Sequence, residues 1–298
     1  MLPLEVEHKV ENRLGAINKW RYGKICDVIL EMASTMEHFR QPPEHLEYEP
    51  APVGSKWGKH WETVWFRGKI EIPKQYKGYR VYYRHESVAE KLLFVNGKPY
   101  AGMDLKHKEV LLNPYVRGGE QYDIYVEAYC GHPIIGVEGY DLKLRTLHSI
   151  GDAPTIDPPL ELESSELLFE RPYVSQLYFD SFVLLQIAKI LDINSLRRAK
   201  ILKGLNEALD LIPMHWETEE ELELAVKSAQ KAILPLLKCH NGPTTPFIGV
   251  VGHAHIDIGW LWPVKETIRK AARTFSTILL LMDTYPEFRF IQSQPVLY

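Results

Sequence analysis

The sequence is poor in cysteine, has no excess of positive charge and contains no apolar run long enough to span a bilayer. Each lack excludes a class of protein. Residues 1–13 scatter charges among their apolar positions, so the apolar block of a secretion signal is missing. Thirty-five Lys and Arg against thirty-nine Asp and Glu leave a net charge of −4, and no long basic run offers a footprint for nucleic acid. The three cysteines, Cys26, Cys130 and Cys239, lie far apart and cannot all pair. They are expected as reduced thiols, which places the chain in the cytoplasm. Internal repeats and low-complexity tracts are missing too, excluding solenoid and fibrous architectures. What is present is globular: 298 residues, 45% hydrophobic and 25% charged, enough for two or three structural units.

Along the chain the texture changes three times. Val6, Val10, Leu14 and Ile17 repeat at helical spacing. Residues 26–32 suit helix or strand equally, and Pro42, Pro43, Pro50 and Pro52 mark a linker. Residues 57–149 carry short β-prone runs at 61–72, 79–85, 91–95, 109–112 and 122–129, with a hairpin signal at Asn96-Gly97 and another loop at Gly118-Gly119. Strands at that spacing without helices between them predict an antiparallel β-sandwich. Trp57, Trp61 and Trp65 share parity, so one strand would show all three on one face. Such a row stacks on sugar rings or packs in a core, and packing is the commoner use.

Residues 151–161, with Pro154, Pro158 and Pro159, read as a second linker. Helices follow, with stripes through Leu177, Leu184, Ala188 and Leu191, then Ile201, Leu205, Ala208 and Ile212, then Leu222, Val226, Ala229 and Ile233. Asn194-Ser195 and the Thr218/Glu221 pair supply caps, and three helices form a bundle. Residues 247–252 then look like a strand buried on both faces. Pro263 opens an amphipathic helix through Ile268, Ala272, Phe275, Leu279 and Met282, and residues 288–292 form a second strand. Strand, helix, strand is a βαβ unit with a parallel sheet. One such unit cannot stand by itself, so a cut segment or a partner supplying the rest is expected.

Chemistry in parallel α/β folds gathers at the carboxyl ends of strands, where His253, Ala254, His255, Ile256 and Asp257 fall. Residues two apart on an extended backbone point the same way, so His253, His255 and Asp257 can share a face, and imidazole and carboxylate are zinc donors. Two histidines hydrogen-bonded in a loop is the bland alternative. Gly259 permits a tight turn, and of the two tryptophans after it Trp260 is the better sugar platform, with Trp262 read as burial between helix and sheet.

The run from His253 through Ala-His-Ile-Asp-Ile-Gly-Trp-Leu-Trp to Pro263, then Glu266-Thr-Ile-Arg-Lys, closely resembles the opening motif of the catalytic domain in class II α-mannosidases, glycoside hydrolase family 38. The resemblance is strong over residues 247–298 and looser before that. It implies a multidomain α+β chain: an N-terminal β-sandwich, a helical segment, then the first βαβ unit of a parallel α/β-barrel-like catalytic domain. The boundaries are 1–50 for a helical and linker segment, 51–150 for the sandwich, 151–245 for linker and bundle, and 246–298 for the incomplete catalytic domain.

The implied activity is a retaining, metal-dependent exo-α-mannosidase that hydrolyses α-linked mannose from glycans. The resemblance makes His255 and Asp257 ligands of a divalent metal, zinc or else cobalt, and Trp260 a wall of the mannose pocket. It leaves the role of His253 open. A carboxylate nucleophile, an acid/base and the remaining ligands are expected beyond residue 298, since neither Glu266, Asp283 nor Glu287 has a claim to be the nucleophile. The segment is therefore expected to be inactive alone, with an α-mannoside or mannose-containing oligosaccharide as its ligand, no nucleic acid, no membrane, and the subunit number open. Two rivals remain. An amidohydrolase would use His253 and His255 as ligands, and a non-catalytic carbohydrate-binding module would use Trp57, Trp61 and Trp65.

Overall fold

The computed structural model describes residues 3–131, 155–240, 242, 245–260 and 262–298. Two compact units divide the chain, one of Met1–Gly23 and Phe169–Ile248, the other of Lys24–Leu168 and Gly249–Tyr298.

The first unit is helical. The N-terminal stripe forms α1 (Pro3–Trp20), followed by α2 (Pro172–Ile190), α3 (Leu196–Leu209) and α4 (Glu219–Leu237). Val10, Leu14 and Ile17 share one core with Val174, Leu177, Leu205 and Val226. The N-terminal helix thus belongs with the bundle, not with a separate segment ending at residue 50. A single amphipathic helix cannot bury its stripe by itself, and here α2 and α3 pack against it. Ser195 caps α3 and Thr218 caps α4, the latter accepting from the Glu221 amide at 3.2 Å. The Glu221 carboxylate reaches back to the Glu217 amide at 2.9 Å, one residue earlier than a capping box requires.

The second unit contains β1 (Tyr22–Asp27), β2 (Leu30–Thr35), β3 (Glu49–Ala51), β4 (Lys56–Lys59), β5 (Thr63–Glu71), β6 (Val81–Glu86), β7 (Glu90–Val95), β8 (Lys98–Met103), β9 (Glu109–Asn113), β10 (Gln121–Tyr129), β11 (Thr155–Glu161) and β12 (Ser164–Glu170). One sheet has the order β1-β12-β6-β9, a second has β3-β2-β5-β10-β7-β8, and β11 pairs with β4 alone. Strands β2, β5, β10, β7 and β8 run antiparallel to their neighbours, as the sandwich reading requires. Asn96 and Gly97 form the hairpin turn with φ of 50° and 76°.

Proline misled the reading twice. Strand β3 passes through Pro50 in the stretch expected as linker, which is tolerated because β3 lies at the edge of its sheet. Strand β11 passes through Pro158 and Pro159, and β12 follows where helix was expected. Residues 151–154 of that expected linker, and residues 132–149 of the expected β-region, lie outside the described residues.

Alternation along the strands gives the large sheet two apolar faces. Val64, Phe66, Val126, Ala128, Leu93 and Val95 point into the core shared with Val81, Tyr83, Val110 and Leu112. Trp65, Leu92 and Phe94 point the other way and meet Phe39, Leu46, Tyr48 and Tyr125. The tryptophan row does not form: Trp57 and Trp65 are buried in different clusters, and Trp61 sits in the turn before β5 with φ of 68°.

The C-terminal portion holds β13 (Gly252–His253), α5 (Val264–Thr284) and β14 (Phe290–Ile291), with β13 and β14 parallel. The expected strand over 247–252 is reduced to its last residue. Phe247 is 96% exposed, and Ile248, Val250 and Val251 are exposed with it. A strand buried on both faces needs covered neighbours, and among the described residues β13 has β14 alone. Helix α5 also departs from expectation, although Ala272 of its apolar stripe packs against Trp65, Leu92 and Phe94 and Phe275 stacks on Tyr298. Ile268, Leu279 and Met282 of its apolar stripe are exposed, whereas Glu266, Thr267, Arg269 and Arg273 are buried. Pro263 serves as its N-cap residue.

The departure has a local cause. On the second face of the large sheet, Glu90 and Glu127 offer carboxylates near α5. Arg273 NH1 donates to Glu266 Oε1 at 2.6 Å and to Glu90 Oε2 at 3.0 Å, and Lys270 Nζ donates to Glu90 Oε1 at 2.6 Å. Arg269 NH1 donates to Thr63 Oγ1 at 2.9 Å, while its Nε lies 3.1 Å from Glu127 Oε1 and its guanidinium covers the Tyr129 ring at 4.3 Å. At Gly102 of β8 the helix comes so close that a Cβ would stand 3.1 Å from Arg273 Cβ, and the Gly102 amide donates to Thr277 Oγ1 at 2.8 Å. Charge pairing and this close approach seat α5 on the sandwich.

Candidate metal and sugar site

The parallel register pairs Gly252 with Phe290 and His253 with Ile291, so the chain leaves β13 directly into the His-x-Asp run. That run is held by the segment after β14. Gln292 Nε2 donates to the Ala254 carbonyl at 2.8 Å, and the Ile256 amide donates to Gln294 Oε1 at 3.2 Å. Ile256 is buried between the two candidate ligands in sequence, which turns its neighbours outward.

His255 Nε2 lies 3.0 Å from Asp257 Oδ1, both side chains open to solvent. The two residues expected as ligands are therefore adjacent. His253 does not join them: its Nε2 is 3.1 Å from Ser293 Oγ. Among the described residues no group of three or more His, Cys, Asp or Glu side chains is arranged to hold a metal ion. One imidazole nitrogen and one carboxylate oxygen suit a zinc-type ion chemically, but a catalytic zinc takes about three protein donors.

Gly259, with φ of 76°, turns the loop towards the two tryptophans, a conformation that strains any residue with a Cβ. Trp260 is 57% exposed and stands edge-on to Trp262, with ring centroids 5.5 Å apart. Trp262 is half-buried, with Lys270 Nζ 4.1 Å from its ring centroid. An exposed indole three residues after the imidazole–carboxylate pair puts an apolar face and polar groups on one loop, the combination a pyranose ring requires.

Neither of the other carboxylates with a conceivable role is placed for nucleophilic attack. Glu266 is 0% exposed and sealed against Arg269 and Arg273, and Asp283 lies near the far end of α5. Sequence reading missed the ion-paired face of α5 and the two glutamines after β14. Glu266, Arg269 and Arg273 recur at helical spacing, and a charged row of that kind ordinarily means a solvated face.

Electrostatics around α5 follow from burial. Burial pushes the Glu127 carboxyl above its ordinary range, against the pull of Arg269 and Arg273. Burial also disfavours ionised Glu90, but Arg273 and Lys270 outweigh it and hold that carboxyl low. His38 is driven down to about 3 by burial and then by Arg269, Lys265 and Arg273, so it stays neutral.

Comparison with known proteins fits this geometry. Residues 24–149 match the domain described as "Alpha-mannosidase, jelly roll domain", and residues 246–298 match "Glycosyl hydrolases family 38 N-terminal domain". Human alpha-mannosidase 2C1 is 31% identical over 92% of this chain and 25% of its own length. Alpha-mannosidase G of Dictyostelium discoideum is 28% identical over 85% of this chain and 22% of its own. The chain thus spans about a quarter of the length of these relatives. Among solved structures, a Faecalibacterium prausnitzii beta-glucuronidase overlaps 51% of this chain and 32% of its own at a TM-score of 0.34 and 14% identity, a likeness too low to argue from. With a jelly roll and the opening of a glycosyl hydrolase domain matched in the order that the strands and the His-x-Asp loop occur, the chain belongs to the family 38 alpha-mannosidases and corresponds to their N-terminal region.

Proposed function

We propose that this chain supplies the first part of the active site of a retaining, metal-dependent exo-α-mannosidase, with His255 and Asp257 as ligands of a divalent ion, zinc or else cobalt, and Trp260 as the platform for the terminal mannose. The observation that carries the reading is the 3.0 Å approach of His255 Nε2 to Asp257 Oδ1 in a loop leaving a parallel strand pair. His255 and Asp257 would hold the divalent ion, which would supply positive charge to the sugar hydroxyls and to the transition state of glycoside hydrolysis. Asp257 offers carboxylate charge to that ion, His255 offers a neutral nitrogen, and Trp260 covers the apolar face of the ring and keeps water from it. The parallel pair with α5 is read as the first βαβ unit of an α/β-barrel-like catalytic domain. The nucleophile and acid/base come from residues other than those of this chain. Three free thiols suit a reducing compartment, and a cytoplasmic location is part of the proposal.

The test is zinc titration of the chain and of its His255→Ala and Asp257→Asn variants, together with hydrolysis of p-nitrophenyl α-mannoside. Weak zinc binding that both substitutions abolish, with no useful turnover, is the expected result. Turnover comparable to a complete family member overturns the incomplete site, and zinc binding indifferent to both variants overturns the ligands. Zinc binding that survives His253→Ala decides against the amidohydrolase, which needs that residue for the metal, and its loss decides for it.

A further inference from the structure

Helical hydroxyls usually donate back to the carbonyl four residues earlier, and three in α5 do so. Ser276 bonds the Ala272 carbonyl, Thr277 that of Arg273 and Thr284 that of Leu280. Thr267 behaves differently. Its Oγ1 accepts from the Gly259 amide at 3.1 Å and from Trp262 Nε1 at 3.1 Å, and donates to the Asp257 carbonyl at 3.2 Å. One donor and two acceptors are all that a hydroxyl has, and this one spends all three on the loop from Asp257 to Trp262. The residue is buried, and its helix is held by the Arg269 and Arg273 pairs described above.

We propose that Thr267 is a positioning residue for the mannose and metal site. Its hydroxyl ties the backbone of Asp257 to the turn at Gly259 and to the indole of Trp262. The Asp257 carboxylate and the Trp260 platform between those ties are thereby presented together, in one loop conformation, before any ligand arrives. Thr267 acts through these neighbours and has no contact with metal or sugar of its own. Fixing a ligand-bearing loop from a rigid helix spares the ordering cost on binding, and loss of such outer support typically weakens metal binding about 10- to 100-fold. The inference rests on the proposed ligand role of Asp257.

The experiment uses the 298-residue chain with zinc alone as probe, and compares Thr267→Val with Thr267→Ser and with Thr284→Val, which removes a back-bonded hydroxyl from the same helix. In metal-free protein, Thr267→Val should speed amide hydrogen exchange of the Gly259 amide about tenfold or more, with the other two variants near the parent. Zinc affinity should fall about tenfold in Thr267→Val and return in Thr267→Ser. Should Thr267→Val not fold, Trp262→Phe deletes the indole donor alone and should speed the same exchange by a smaller factor. Unchanged exchange in these variants overturns the clasp. Loss of zinc affinity in Asp257→Asn but not in Thr267→Val overturns the positioning role and leaves the ligand assignment standing. Zinc affinity unchanged in Asp257→Asn overturns the ligand assignment and this role with it.

Discussion

Glu127 is the strongest lever on how α5 is seated. It is 1% exposed on β10 and faces two guanidinia from α5. The cluster comprises three carboxylates (Glu90, Glu127, Glu266) and three cations (Arg269, Lys270, Arg273), so it is balanced. Glu127→Gln removes one anion and leaves two for the three cations. Breaking a buried pair from one side costs about 3–5 kcal/mol. Since Glu266 still serves both arginines, the lower end, about 3 kcal/mol, is expected. An exposed pair such as Lys227–Glu223 on α4 should be worth about 0.3–0.5 kcal/mol. Urea unfolding at neutral pH reads both.

A double variant identifies the cause. The double variant Glu127→Leu/Arg269→Met restores balance with apolar groups and should recover most of the loss, giving a coupling of about 2 kcal/mol. A cost for Glu127→Gln within about 0.5 kcal/mol of zero at neutral pH, or strict additivity in the double variant, refutes the buried, paired account.

Histidines give a pH dependence. His38, held at about 3, and His85, pushed well below its ordinary value by burial, stay neutral in the folded state. Their depressed values give stability that is present above about 6.5 and is lost as pH falls, in a window above that of ordinary carboxylates. His38→Gln should therefore flatten the fall in urea midpoint between about pH 6.5 and 5, and an unchanged slope counts against a buried neutral imidazole. Trp65, fully buried on the second face of the large sheet, should cost about 3–5 kcal/mol on Trp65→Ala. Urea unfolding reads the loss, and a cost under about 1 kcal/mol would refute the packing role.

What was legible in the sequence was whatever one element could announce by itself. The stripe of Val10, Leu14 and Ile17, the Asn96-Gly97 turn and the pairing of His255 with Asp257 two residues on all depend on local periodicity or short spacing, and the structure has each of them. What was not legible depended on a distant partner. Pro50 marks a linker unless its strand lies at a sheet edge, and only the β2 pairing shows that it does. The α5 charges read as a solvated face until Glu127 and Glu90 arrive from strands more than a hundred residues earlier. The same logic explains the exposure of Ile268, Leu279 and Met282: an apolar stripe forecasts burial, but only Ala272, against the Trp65 cluster, and Phe275, on Tyr298, find partners from it among the described residues. The first turn of α5 meanwhile holds the His-x-Asp loop through Thr267, so the ion pairs that seat the helix on the sheet also anchor that loop.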